Sequence, residues 1–104
     1  MEKILKEAIS IKVFVASLSG ENRDIIDGLQ HEIRKDRNHE YTLEIVNVLE
    51  MPEKAVEANV FSTPAILRDM PQPIILLIGR LAKAHDVLTI VQSDHNHHDG
   101  IVVV

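Results

Sequence analysis

Hydrophobic residues alternate along positions 9–16, ISIKVFVA, so that Ile9, Ile11, Val13 and Val15 share one face while Phe14 and Ala16 lie on the other. Apolar side chains on both faces predict a strand covered on both sides. After SLSG the period changes. Ile25, Ile26, Leu29 and Ile33 recur at spacings of a helix that ends near Lys35, with Ser17 or Ser19 as its cap. Positions 41–49, YTLEIVNVL, are rich in β-branched residues and predict a second strand, and the intervening helix has the length a parallel crossover needs. Pro52 then opens a short helix, with Ala55, Val56 and Val60 facing inward, and Thr63-Pro64 stops it.

Two short apolar runs, 64–67 and 73–78, flank RDMPQ and predict an antiparallel pair, with Arg68 and Asp69 in the turn as an exposed ion pair. Leu81, Ala84, Val87, Leu88 and Val91 predict a final amphipathic helix over 81–92. The order is βαβαββα, an α/β domain over residues 1–93. Its C-terminal half is locally ambivalent, because DVLTIV is rich in β-branched residues and PIILLIG could form a helical turn after Pro73. The tail 94–104 turns abruptly from polar to apolar and is expected to be mobile.

Composition narrows this picture. At 104 residues, 45% hydrophobic and 26% charged, the chain fits one domain with one core, and with only Phe14, Tyr41 and Phe61 aromatic that core must be aliphatic. A net charge of −5 with scattered Lys and Arg excludes a phosphate-tracking surface, so no nucleic acid is expected. Charges at Glu2, Lys3, Lys6 and Glu7 break the N-terminal apolar pattern, so neither a signal peptide nor a membrane anchor is expected there and the cytoplasm is the expected location.

The absence of cysteine removes disulfides, thiol redox pairs and thiolate nucleophiles. Ser17 and Ser19, between the first strand and first helix, could hydrogen-bond a substrate, which leaves an enzyme as the alternative reading; no His or Lys is placed by sequence to activate them. His95, His97 and His98, with Asp94 and Asp99, carry donors that suit zinc, nickel or copper, but a tail fixes no geometry, so no metal or other cofactor is expected. His31, His39 and His85 are isolated and read as surface residues, and no glycine loop for phosphates is present.

The succession VFVA, IVNVLEMPEKA, FSTPAI and PQPIILLIGRLAKAHDVL, in order and spacing over residues 9–92, resembles the KaiB family of circadian clock proteins. The resemblance implies a thioredoxin-like fold with a cis proline before the third strand, and a second, ground-state fold of the C-terminal half. It implies a non-catalytic protein, a homo-oligomer (dimer or tetramer) in one form, that binds a KaiC-like ATPase in clock or stress-related signalling. A histidine kinase would compete for the same site. That site would comprise Val48, Pro52, Lys54, Asn59 and Thr63, with Pro64, Pro71 and Pro73 as switch or hinge prolines. If Ser17/Ser19 acted instead, the chain would be a cysteine-free thioredoxin-fold transferase or binding protein. Asn59 stands where the family often has lysine, Asp24 where it often has arginine, and Ile75-Leu76 where a basic pair is common, so a KaiA-like partner is not expected.

Overall fold

β1 (Glu7–Val15) is flanked in the sheet by β2 (His39–Asn47), parallel to it, and by β3 (Ala65–Met70), antiparallel to it. The computed structural model describes residues 6–79 and 83–93, and the backbone of 100–103. β4 (Ile75–Ile78) pairs antiparallel with β3, and β5 (Gly100–Val103) runs parallel to β4, giving the order β2-β1-β3-β4-β5. Helices α1 (Glu21–Lys35), α2 (Pro52–Glu57) and α3 (Ala84–Val91) connect and cover them. The expected elements are all present, and β5 is additional. Residues 100–103, within the tail expected to be mobile, run as β5 along the edge of β4; residues 94–99, with His95, His97 and His98, lie outside the described residues.

Alternation along β1 divides the core as the pattern requires. Ile9, Ile11, Val13 and Val15 join Ile26 and Leu29 of α1, Ile66, Leu77, and Val87, Leu88 and Val91 of α3. Phe14 points to the other face, with Val46, Ala55, Val60, Ala65, Leu67 and Leu76. Each fully buried aliphatic side chain contributes about 1.5–3 kcal/mol. Gly28 lets α1 and α3 close together, since a Cβ there would stand 3.2 Å from that of Ala84. The ambivalent segments resolve here as strand and helix: 75–78 is β4 and 84–91 is α3.

Three expectations are corrected. Neither Ser17 nor Ser19 caps α1: Gly20, at φ 62°, is the cap residue, because the chain enters the helix through a conformation that glycine adopts without cost. Val56 is exposed, since it stands about 100° round α2 from Ala55, the residue that faces the sheet. Arg68 lies in β3 rather than in a turn and is only 1% exposed. Alternation turns it toward the α1/α3 layer, where Nη1 donates to the Val91 and Ser93 carbonyls at 2.9 and 2.8 Å and Nη2 to the Pro73 carbonyl at 2.6 Å. A cation at the α3 C-terminus meets carbonyls with no partner within the helix. Asp69 pairs instead with Lys12, at 3.5 Å.

A second polar tie joins α3 to the first half. Asp36 Oδ2 accepts from Tyr41 Oη at 2.5 Å and Gln92 Nε2 at 2.8 Å and lies 2.7 Å from His39 Nδ1, while the Asn38 amide donates to Oδ1 at 2.7 Å. His39 is therefore part of a half-buried network rather than an isolated surface residue. Burial works to raise the Asp36 carboxyl, but hydrogen bonds from Tyr41, the Asn38 amide and His39 outweigh it and hold it at about 2. Burial and the Asp36 charge push Tyr41 upward.

A carboxyl depressed below its ordinary value of 3.8 stabilises the fold above that value and loses its effect as pH falls toward 2. At about 1.4 kcal/mol per pH unit, Asp36→Asn should cost on the order of 2 kcal/mol near neutrality. Thermal melts should show the two chains converging below about pH 2; a gap that stays constant with pH would sink this assignment.

Candidate functional site: the surface around α2

The turn out of β2 sets the surface up. Asn47 carbonyl accepts the Glu50 and Met51 amides, its side chain accepts the Leu49 amide at 3.0 Å, and Pro52 starts α2 where a missing N–H costs nothing. α2 ends in a paired reversal: Asn59, at φ 58°, donates its amide to the Val56 carbonyl, and the Val60 amide reaches the Ala55 carbonyl at 2.9 Å. This is the Schellman arrangement, with Val60 and Ala55 in the same buried cluster. Asn59 thus has a structural role that its amino-acid type explains, since asparagine tolerates the left-handed region.

With Ala55 and Val60 turned inward, other apolar groups are left outside. Leu49 is 75% exposed, Val56 65% and Phe61 82%, and Met51 is also exposed. The structure places Pro52, Asn59 and Thr63 exposed on the same segment, Lys54 half-buried, and Val48 half-buried against the core. Lys54 is hydrogen-bonded to Glu44, which raises its pKa. Leu49, Val56 and Phe61 were not among the sequence candidates: Val56 was expected to face inward, and Leu49 and Phe61 lie in the turns on either side of α2.

Beside α2 the sheet face is open as a cleft of about 470 Å³, floored by Phe14 and Leu67 and edged by Lys12, Lys54, Asn59 and Asp69. Pro64, Pro71 and Pro73 bracket β3 and its turn, each after a cis peptide bond. Thr63 and Pro64 face Ser19 and Asn22 across a cleft of about 340 Å³. There the Ser17 and Ser19 hydroxyls lie 3.2 Å apart, and Asn22 donates to the Ser17 carbonyl at 3.1 Å. Among the described residues these serines have no hydrogen bond from an imidazole or amine, and no cluster of three or more metal-ligating side chains occurs. No helix among the described residues is long and apolar enough to cross a membrane.

A parallel β1–β2 pair, an antiparallel β3–β4 pair, and a cis proline ahead of β3 define a thioredoxin-like domain, here without the cysteines. Solved structures agree. The N-terminal domain of Synechococcus elongatus SasA matches at TM-score 0.62 and 16% identity, over 91% of this chain and 94% of that one. Chloroplastic thioredoxin z matches at TM-score 0.63 and 18% identity, over 86% and 95%.

The KaiB domain model matches residues 12–93, and the chain belongs to the KaiB family. The circadian clock protein KaiB3 of Synechocystis sp. is 26% identical over 80 residues, 77% of this chain and 78% of that protein. The circadian clock oscillator protein KaiB of Picosynechococcus sp. is 27% identical over 85 residues, 82% of each chain.

Proposed function

We propose that this chain is a non-catalytic regulatory protein of the cytoplasm that docks onto a KaiC-type ATPase through the surface around α2, in clock or stress-related signalling. The observation that carries the reading is the exposure of Leu49, Val56 and Phe61 beside Pro52, Asn59 and Thr63. Apolar groups held outside on a short, well-terminated helix suit a protein partner, because the centre of such an interface excludes water and draws its energy from a few large side chains. Lys54 and Glu44 supply a polar rim. A histidine kinase with the same target would compete for it, while the loss of basic residues disfavours a KaiA-like partner. Titrating a KaiC-type ATPase, in each nucleotide state, with the purified chain tests this; no complex in either state refutes it.

The family reading extends to a slow change of the C-terminal half, with Pro64, Pro71 and Pro73 as its hinges. Support comes from the local ambivalence of residues 73–79 and 86–91, whose sequences suit either secondary structure. Two sets of amide NMR signals from β4 and α3, exchanging over minutes, are expected; a single set under all conditions would remove the switch.

A further inference from the structure

α2 carries its charges on one face. At about 100° per residue from Ala55, which is buried against the sheet, Glu53 and Glu57 fall on the outward side of the helix, with Val56 on one flank and Lys54 on the other. Glu50 is exposed in the turn before it. The ammonium on that helix is already engaged, because Lys54 is tied to Glu44 and also feels the charges of Glu57 and Glu53. In the cleft beside α2, Lys12 is taken by Asp69 at 3.5 Å. Glu50, Glu53 and Glu57 are exposed and make no ion pair among the described residues, so the surface that presents Leu49, Val56 and Phe61 is bordered by uncompensated negative charge. Local energetics do not account for this arrangement. Carboxylates four residues apart on one helix repel each other, and Glu57 stands in the last turn, where the helix dipole favours a cation.

We propose that the face of the ATPase that docks onto α2 is basic, a rim of Lys and Arg around an apolar socket. The inference rests on the docking reading above and names the chemistry of that partner's surface. An acidic face would set carboxylate against carboxylate around the patch, and a neutral one would strip water from Glu50, Glu53 and Glu57 with nothing in return. A basic rim pairs with each of them and leaves the dry centre to Leu49, Val56 and Phe61. Charge at such a rim acts chiefly on encounter, since opposite fields steer the two surfaces together. It is therefore read in the association rate and in its dependence on salt.

Stopped-flow association of the purified chain with a KaiC-type ATPase, in each nucleotide state and over a range of salt, tests this. Between about 0.05 and 0.5 M salt the association rate should fall at least about ten-fold, with the dissociation rate changing less. At low salt the triple variant Glu50→Gln, Glu53→Gln, Glu57→Gln should associate about ten-fold more slowly and lose most of the salt dependence. It should melt no lower than the wild type, because the Glu53–Glu57 repulsion is relieved. Glu40→Gln controls for net charge: it removes the same charge as Glu53→Gln from an exposed site at the start of β2, whereas α2 follows the other end of that strand. Glu53→Gln should slow association about three-fold and Glu40→Gln hardly at all. A rate indifferent to salt and to these substitutions, a rate that rises with salt, or equal effects of Glu40→Gln and Glu53→Gln would each overturn the basic face while leaving the docking surface standing. No complex at any ionic strength would remove both.

Discussion

Replacing Arg68 with methionine is expected to destabilise the fold by about 3–5 kcal/mol, because the carbonyls it serves lose their donors at about 1–3 kcal/mol each. Methionine fills much of the space but leaves the Val91, Ser93 and Pro73 carbonyls without these charge-assisted donors. At about 4–8 °C per kcal/mol for a domain of this size, the melting temperature should fall by more than 10 °C. Arg68→Lys should recover only a fraction, because one ammonium cannot span carbonyls that two guanidinium nitrogens address separately. Amide hydrogen exchange supplies the sharper check: the last turn of α3 should lose protection ahead of β1, and uniform loss across the chain would count against Arg68 as a local clamp.

Phe61→Ala and Val56→Asp should each weaken the complex with a KaiC-type ATPase, Phe61→Ala by about 2 kcal/mol or roughly thirty-fold if it is an interface anchor. Val56→Asp places a charge at the centre of the exposed apolar patch, where docking would strip its water. Neither residue packs in the core, so melting temperatures should stay within the range of ordinary surface substitutions, about ±0.5 kcal/mol. Binding unchanged in both variants would move the docking surface elsewhere on the molecule. A double variant, Phe61→Ala with Val56→Asp, shows whether the two side chains act together, since neighbouring interface residues rarely contribute additively.

Strands and helices were legible wherever hydrophobic period and local propensity agreed. The alternation of residues 9–15 specified which side chains of β1 belong to which core, and the structure keeps that division. Pro52 announced the start of α2 and Thr63-Pro64 the approach of β3. The departures share a cause: each depends on what lies opposite in space. Arg68 looked like a turn residue because a cation in a strand pattern suggests solvent. Its burial follows from the α3 terminus, more than twenty residues further on, where helix-end carbonyls need donors. The Asp36 cluster likewise draws Gln92 from 56 residues away, a pairing that no local window contains. β5 escaped notice because its partner, β4, is short and distant in sequence.

Pro52, Lys54, Asn59 and Thr63 were marked by family resemblance, and the structure sets them around α2. Which apolar groups stay outside depended on where that helix stops. The left-handed turn at Asn59 sends Val60 inward and leaves Phe61 outside. In a continued helix Val60 would stand about 140° round the axis from Ala55, turned away from the sheet, so the early stop is what buries it.

Tyr41 is the chain's sole tyrosine, and tryptophan is absent. Its hydroxyl is held between a carboxylate at the end of α1 and a glutamine just past α3. Tyrosine emission from this molecule therefore comes from one ring, attached to the contact that secures its final described helix. Detachment of that helix changes the hydrogen bonding of the fluorophore itself, so the wild-type chain carries an optical gauge of its own C-terminal packing without a label or a substitution.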